Sequence, residues 1–296
     1  MALKVVDPHI HLWDLSTPGR YPWLDTPGNI FTGDYTAIAR THLPADFRRD
    51  AGDVEVLKVV HIDAGAADKL RETEWLQALA DSPAEMPDAI IPHVDLARDD
   101  ADAVLARHAA HRNVRGIRQI LNVHADPVFD YVGRHYMDEP LWNRNFPLLA
   151  RHGLSFDMQL YPSQMKRAAA VAKANPEVMI ALNHTGMFAD RNSVAGWVEW
   201  RDGMRALAAA PNVHVKISGM GMIDHSWSVE SIRPYVLETI DTFGVDRAMF
   251  ASNFPVDRLY STYSALWNAF ATIVSDMGAG DHDKLFRSNA EHFYRI

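Results

Sequence analysis

The amino-acid sequence predicts an α/β fold, and three observations support this prediction. Short apolar runs recur along the chain, each is followed by a segment with helical spacing of its apolar residues, and the runs number eight. Strands that alternate with helices form parallel sheets, and eight such strands can close into a (β/α)8 TIM barrel. The chain has 296 residues, so we expect residues 1–296 to form one domain. A doubly wound open sheet is the structural alternative.

The predicted strands and helices alternate along the whole chain. The strands are predicted at residues 3–10, 54–63, 89–95, 116–120, 154–160, 178–183, 213–218 and 248–252. The helices are predicted at residues 68–80, 99–111, 140–152, 164–174, 194–210, 229–243, 263–277 and 283–294. Residues 12–52 form a long segment between the first two strands. Because long loops in compact domains are often functional, we interpret this one as a lid over the pocket.

Composition limits the classes of partner. The formal net charge is −9, with 29 Lys and Arg against 38 Asp and Glu, which argues against nucleic-acid or anionic-membrane binding. The chain has no cysteine, which excludes disulfides, thiolate nucleophiles and cysteine metal sites. We find no signal-peptide pattern and no apolar run of transmembrane length, so we expect a cytoplasmic protein acting on a small molecule. Aromatic residues in the lid would allow the chain to associate as a homo-oligomer.

Two histidines end the first predicted strand, in the sequence Asp7-Pro8-His9-Ile10-His11. Side chains two positions apart on a strand face the same side, so His9 and His11 point together toward the barrel mouth. Active sites of such barrels lie at the carboxyl ends of the strands, and two imidazoles at this spacing can bind one metal ion. The alternative is a pair of polar side chains without a catalytic role.

A third histidine, His184, ends the sixth strand and precedes Thr185 and Gly186. It can act as a third metal ligand or as a general base. The alternative is a helix start in which Thr185 is the important residue.

The eighth strand ends in two polar residues four positions apart, Asn253 and Asp257. Asn253 can form hydrogen bonds but cannot act as a base. Asp257 can act as a base if the turn through Pro255 brings it inward. The alternative for Asp257 is a helix cap or a salt bridge with Arg258.

Two cations lie on predicted strands, and both would be costly to bury without an anionic partner. Arg118 ends strand four and would bind a substrate carboxylate or an oxyanion, or else pair with Asp157 or another acid. Lys216 ends strand seven and would reach the pocket to bind substrate, or else form a structural ion pair. Asp157 and Gln159 share one face of strand five, and His225 follows strand seven, so we place all three among the candidate substrate-binding residues.

The strand-end motifs occur together in one known family. They lie at residues 6–14, 21–23, 116–118, 156–160, 184–186, 215–219, 252–256 and 289–294. In this combination the sequence resembles the amidohydrolase superfamily, in the branch of small TIM-barrel hydrolases called amidohydrolase family 2. That branch includes sugar-acid lactonases, 2-pyrone-4,6-dicarboxylate lactonase and 4-sulfomuconolactone hydrolase, and related decarboxylases share the fold. The resemblance covers nearly the whole chain.

Carried over by position, the resemblance implies roles for five residues. His9, His11 and His184 would surround the reaction centre, and a metal ion there would have these three as its ligands. Arg118 and Lys216 would hold substrate oxygens.

Two departures from the family pattern bear on the metal. Two-metal members of the superfamily use a lysine on strand four and a histidine on strand five, where this chain has Arg118 and Asp157 or Gln159. Most members end strand eight with an aspartate that serves as metal ligand and base, where this chain has Asn253. The resemblance therefore leaves open one divalent metal, zinc or manganese, and equally a mechanism without metal.

The leading functional expectation is hydrolysis of a lactone or related carboxylic ester of a small, anionic substrate from sugar-acid or aromatic catabolism. Water would be activated by a metal on the three histidines, or by a base such as His184 or Asp257. One alternative is a non-oxidative decarboxylase on the same barrel. The other is a degenerate barrel that binds a small molecule without turnover, which the loss of the strand-eight aspartate would explain.

Overall fold

Eight strands form where the apolar runs predict them, in a computed structural model that describes residues 3–296. Their bounds are β1 Lys4–Ile10, β2 Glu55–Ile62, β3 Ala89–Ile91, β4 Gly116–Ile120, β5 Ser155–Gln159, β6 Ile180–Leu182, β7 Val213–Ile217 and β8 Ala248–Phe250. A small hairpin, Asn29–Ile30 with Gly33–Asp34, lies between β1 and β2. The strands are nearly all buried along their length, as expected for a parallel sheet covered by helices.

Pairing between the strands joins them into a ring. Neighbouring strands are parallel and follow chain order in two groups, β1 to β3 and β4 to β8. Isolated parallel bridges connect the groups at both edges: His93 with Arg118 at one, and Ile10 with Phe254 at the other. The first strand therefore pairs with the segment after the last one. An open sheet would leave these two edges apart, so the barrel prediction is confirmed.

Helices separate the strands as predicted. Their bounds are α1 Pro22–Asp25, α2 Pro44–Ala51, α3 Lys69–Ala80, α4 Ala101–Ala109, α5 Pro140–Asn145, α6 Leu148–Arg151, α7 Met165–Ala174, α8 Val194–Ala208, α9 Met220–Ile223, α10 Val229–Phe243, α11 Tyr263–Ile273, α12 Ala279–Asp283 and α13 Asn289–Tyr294. Single 3-10 turns occupy Thr36–Ile38, Tyr136–Asp138, Pro162–Gln164, His184–Gly186, Val245–Arg247 and Val256–Leu259. None of the helices within residues 3–296 has the length and apolar character needed to cross a bilayer.

Two predicted helices are interrupted in the structure. The helix predicted at 140–152 is divided into α5 and α6 around Pro147, which has no backbone N–H to continue the first helix. The helix predicted at 283–294 begins earlier, at Ala279, and contains a π-helical turn at Lys284–Ser288. By contrast, α10 has the predicted bounds, and the hydroxyl of Ser228 caps it by accepting from the amide of Ser231.

The C-terminal helix closes the lower end of the barrel. Ala290, Phe293 and Tyr294 of α13 pack in one apolar cluster with inward-facing residues of five strands, among them Val6 and Met249. Because this end is filled with side chains, access to the strand ends within residues 3–296 is from the opposite face. That face is covered by the segment between β1 and β2.

The segment predicted as a lid is held together by hydrogen bonds and packing of its own. The backbones of Trp13 and His42 hydrogen-bond to each other in both directions, and the indole N–H of Trp13 donates to the carbonyl of Arg40 at 2.7 Å. Its apolar side chains form their own buried cluster, which includes Tyr21 and Tyr35. The segment therefore forms a fixed wall above the carboxyl ends of the strands.

Candidate active site

A cavity of about 250 Å³ opens at the carboxyl ends of the strands, under the lid. Its floor consists of polar side chains at or just after the strand ends: His11, Asp63, His93, Arg118, Gln159, His184 and Asn253. Its wall consists mainly of apolar and aromatic side chains from the loops: Trp13, Trp23, Ile30, Phe31, Tyr35, Ile38, Ala64, Tyr131, Val132, Tyr136, Met222 and Val256. The side chain of Lys69 also lines it. Five of the predicted site residues thus meet in one cavity.

His11 is held in one orientation by the backbone. Its Nδ1 lies 2.8 Å from the carbonyl oxygen of Ile62, so Nδ1 carries the proton and donates it. Burial, together with the charge of Arg118, lowers the pKa of His11 to about 3, and the ring is neutral at pH 7. The unprotonated Nε2 lies 3.4 Å from the side-chain oxygen of Asn253. This nitrogen is therefore free to accept a hydrogen bond in the cavity.

The ring centroids of His9 and His184 lie 4.5 Å apart, and those of His9 and His11 lie 5.1 Å apart. Burial lowers the pKa of both well below the usual value, so both are neutral. Nδ1 of His184 lies 3.1 Å from the hydroxyl of Ser218. The two ring nitrogens of His9 are buried without a hydrogen-bond partner, and His9 does not line the cavity. The structure thus brings the three predicted histidines together.

The three histidines are the predicted ligands of a metal ion. Among residues 3–296, no three His, Asp or Glu side chains converge, as they are arranged, in a geometry that could hold a metal. The charges of Arg118 and Lys216 act on both His9 and His184, and each of these cations is itself paired with a carboxylate. The metal site therefore stays a prediction.

Arg118 has an anionic partner, but not the one the sequence suggested. Its Nη2 donates to the side chain of Asp63 at 3.2 Å and also to the Asp63 carbonyl, and Nη1 donates to Gln159 at 3.4 Å. Lys69 Nζ approaches the same carboxylate at 3.1 Å. Burial acts to raise the pKa of Asp63, but the two cations outweigh it and hold that pKa well below its usual value. With two cations and one anion, the floor carries one net positive charge.

Lys69 was missed by the sequence analysis. It lies at the start of α3, six residues after Asp63, outside any strand end. The available signal was the acidic end of strand two followed at short range by a lysine.

Lys216 and Asp157 do not line the cavity. Their side chains have no exposed surface and form an ion pair with each other, and Lys216 also donates to the carbonyl of Pro8 at 2.9 Å. The Tyr294 hydroxyl donates to the Asp157 carboxylate at 3.0 Å. Burial raises the pKa of Asp157 and lowers that of Lys216 to about 8, and each shift is opposed by the partner charge. Their predicted role in substrate binding is corrected: they form a structural pair beneath the floor.

Asn253 lies between the cavity and Asp257. It lines the cavity, whereas Asp257 does not. Burial raises the pKa of Asp257 to about 7, and the nearby side chain of Asn253 and the backbone of residues 219–222 oppose that rise. The Asn253 Nδ2 and both Asp257 oxygens nevertheless have no hydrogen bond of normal geometry. Asn253 also has a positive φ of 61°, a conformation uncommon for a residue other than glycine and often found at functional sites.

His225 lies outside the cavity. Its exposed ring stacks on Tyr260 with centroids 4.3 Å apart, and its Nε2 lies 3.2 Å from the carbonyl of Phe31 in the lid. The predicted contact with substrate is corrected, because the ring is used to pack the loop after β7 against the lid.

Known proteins match this chain over nearly its whole length. The sequence profile of the family described as Amidohydrolase matches residues 6–296, which is nearly the whole chain. The protein belongs to the amidohydrolase family. Membership agrees with the resemblance of the strand-end motifs.

Relatives of this amidohydrolase match over their full length. The uncharacterized protein y4mH of Sinorhizobium fredii is 46% identical over 298 residues, covering 99% of each chain. An L-fucono-1,5-lactonase of Burkholderia ambifaria is 29% identical, covering 98% of this chain and 95% of its own. Together with the family match, the lactonase relative supports a hydrolase.

Solved structures confirm the fold of the amidohydrolase. An amidohydrolase from Burkholderia multivorans with bound zinc has a TM-score of 0.83 at 24% identity, with both chains covered completely. More distant neighbours include a 2-pyrone-4,6-dicarboxylic acid hydrolase and a decarboxylase, and one decarboxylase structure contains manganese. At these identities the likeness shows the TIM-barrel fold.

Proposed function

We propose that this amidohydrolase hydrolyses a lactone of a small acid, of the kind met in sugar-acid or aromatic catabolism. One observation carries the proposal. Arg118 Nε is a buried N–H donor without a partner, and Arg118 lines the cavity beside His184 and Asn253. Unpaired buried donors are costly unless a ligand satisfies them. The lactonase-named relative supports this choice of reaction.

The unpaired Arg118 donor would stabilise the oxyanion of ester hydrolysis. When water attacks the lactone carbonyl, its oxygen gains a negative charge. Fixed donors directed at such a charge are among the largest contributions to catalysis. Arg118 supplies a full positive charge there.

His184 would accept the proton of the attacking water. It lines the cavity, and burial keeps its ring neutral. If Nδ1–H donates to the hydroxyl of Ser218, Nε2 carries the free lone pair. The new C–O bond forms from water, the ring C–O bond breaks, and the proton passes from His184 to the leaving oxygen. The second proton of the water is released when the carboxylic acid product ionises. The carboxylate would then offset the one positive charge that Arg118 and Lys69 leave unbalanced beside Asp63.

The chain's own residues would carry this reaction without a resident metal. In the arrangement described, His9, His11 and His184 do not converge on one point that a zinc or manganese ion could occupy. A lactone is a reactive ester, so its hydrolysis needs only a positively charged oxyanion donor and a neutral general base.

A panel of lactones tests the proposal. Purified protein should open the ring of at least one sugar-acid or aryl lactone, with proton release that matches the consumption of ester. Release of CO₂ from an aromatic acid instead would assign a decarboxylase. A rise in melting temperature with a ligand that remains chemically unchanged would assign a binding protein. Either outcome would contradict the proposal.

A further inference from the structure

Polar and apolar groups occupy separate parts of the cavity. The polar groups lie on the floor, at the strand ends, and the aromatic and aliphatic side chains lie on the wall formed by the loops. A ligand that fills the cavity would therefore have its reactive group at one end and its remaining body against the wall. The chemistry of the wall then decides which body fits.

The two tryptophans of the wall have no free hydrogen-bond donor. The Trp13 indole N–H donates to the Arg40 carbonyl at 2.7 Å, and the Trp23 indole N–H donates to the Ala64 carbonyl at 2.8 Å. Both donors are thus used within the protein. The indoles offer only their apolar surfaces to a ligand.

The aromatic part of the wall is already packed before a ligand binds. Trp23 lies edge-on to Trp13 with ring centroids 5.6 Å apart, and 5.4 Å from Tyr35. A Cβ at Gly65 would lie 3.0 Å from Trp23 Nε1, so the glycine permits the indole to approach its carbonyl partner. A rigid apolar wall favours a planar or apolar body, because little side-chain entropy is lost on binding.

The loop after β4 also contributes aromatic side chains to the wall. Tyr131, Val132 and Tyr136 from this loop line the cavity. Tyr131 is 55% exposed, which places it at the mouth. A ring bound between these side chains and Trp23 would have aromatic neighbours from two loops.

The charged groups at the centre of the floor are already paired within the protein. The Asp63 carboxylate accepts from Arg118, Lys69 and the amide of Gly65, and Nδ1 of His11 is bound to the Ile62 carbonyl. The unpaired Arg118 donor is the one assigned to the ester group. The hydroxyls of a polyhydroxylated body would lie against the apolar wall, and each one left desolvated and unpaired would cost free energy of binding.

We infer that the substrates are lactones with an apolar aryl or alkyl body, and that polyhydroxylated sugar lactones are disfavoured. The inference rests on the proposed lactone hydrolysis and narrows its substrate class. It also separates this chain from the activity that names its lactonase relative.

Two uncharged six-membered lactones test the inference. Dihydrocoumarin has an aryl body and D-glucono-1,5-lactone has hydroxyls, so charge and ring size are held constant. We correct the rate of each lactone for its spontaneous hydrolysis. We then expect kcat/KM to be about tenfold or more higher for dihydrocoumarin, because each aromatic contact adds to binding. Equal or higher kcat/KM for the sugar lactone would overturn the inference.

Binding of the matching lactams separates the inference from the reaction itself. Dihydroquinolinone and D-glucono-1,5-lactam have the same two bodies and are not hydrolysed. Calorimetry should show tighter binding of the aryl lactam than of the sugar lactam. If that is found but no lactone is hydrolysed, the proposed function is wrong and the inference about the bound body still stands. Equal or tighter binding of the sugar lactam would overturn the inference even if lactones are hydrolysed.

A pair of variants at the mouth tests the aromatic contact. Tyr131→Ala removes the ring and should lower kcat/KM for dihydrocoumarin by about tenfold. Tyr131→Phe keeps the ring and should recover most of that loss. If Phe is as harmful as Ala, the phenol hydroxyl rather than the apolar ring contacts the substrate, which would contradict the inference.

Discussion

Two polar residues four positions apart, Asn253 and Asp257, follow β8. A single aspartate at the strand end would both line the cavity and act as a base. Asn253 lines the cavity, whereas Asp257 holds its carboxyl outside the cavity. The cavity therefore contains a neutral amide at the end of β8 and no acidic base from that segment. That arrangement is why His184 is the base in the proposed reaction.

The pH dependence of the reaction distinguishes the two candidate bases. The pKa of His184 lies well below its usual value, so its free-base form is complete at neutral pH and kcat/KM should be flat between about pH 6 and 7.5. Asp257, with its pKa raised to about 7, would ionise only as the pH rises through that value. If it were the base, kcat/KM would fall about tenfold for each pH unit below 7. Such a fall, abolished in Asp257→Asn, would reassign the base.

Arg118 should be the most sensitive single position. Arg118→Gln removes the charged donor, and loss of one oxyanion donor lowers rates by about 100- to 1,000-fold. We expect that loss in kcat/KM. The control is Arg112→Gln, which removes an arginine from an exposed ion pair with Asp81 and should leave kcat/KM unchanged. A loss below about threefold for Arg118→Gln would contradict its role.

Among the connecting elements, the lid depends on close contact with the loop after β2. Gly65 has a φ of +76°, and an added Cβ would press on Trp23. Gly65→Ala should therefore lower kcat/KM for an aryl lactone as well as the melting temperature. Gly244→Ala is the matched control, because Gly244 has a φ of +75° with open space around it, so it carries the same backbone strain without the contact. Equal effects of both variants on kcat/KM would show that the lid wall does not contact substrate.

Element positions were predictable where one signal dominates. Apolar runs located all eight strands, and the spacing of apolar residues located α10. Predictions were less accurate where a local residue competes with the periodic pattern, as Pro147 does in the helix predicted at 140–152. His225 shows another limit: its position in a loop near the site said nothing of the Tyr260 ring on which it stacks.

At the scale of the whole molecule, a buried ion pair joins the floor of the site to the C-terminal helix. Lys216 of β7 and Asp157 of β5 pair beneath the imidazoles, and Tyr294 of α13 donates to the same carboxylate. The sequence showed that both cations on strands needed anionic partners. It could not show which partner each had, because Arg118 turns toward Asp63, a residue far from it in the sequence.

Breaking that pair should reduce the stability of the whole barrel. Lys216→Met leaves Asp157 buried without its cation and should lower the free energy of unfolding by about 3–5 kcal/mol, measured by denaturant titration. Removing both charges, with Lys216→Met and Asp157→Leu together, should recover part of that loss. The control is Lys284→Met, at an exposed pair with Asp246, with an expected loss of about 0–1 kcal/mol. A loss of that small size for Lys216→Met would contradict a structural role.

The central claim is that this cavity opens lactones with its own side chains. Its most direct test is the rate of lactone hydrolysis by protein dialysed against a strong chelator, with the metal content measured by elemental analysis on the same sample. We expect the full rate with far less than one metal ion per chain, and no increase on adding zinc or manganese. Loss of activity in the chelator, with recovery in proportion to added metal, would contradict the claim.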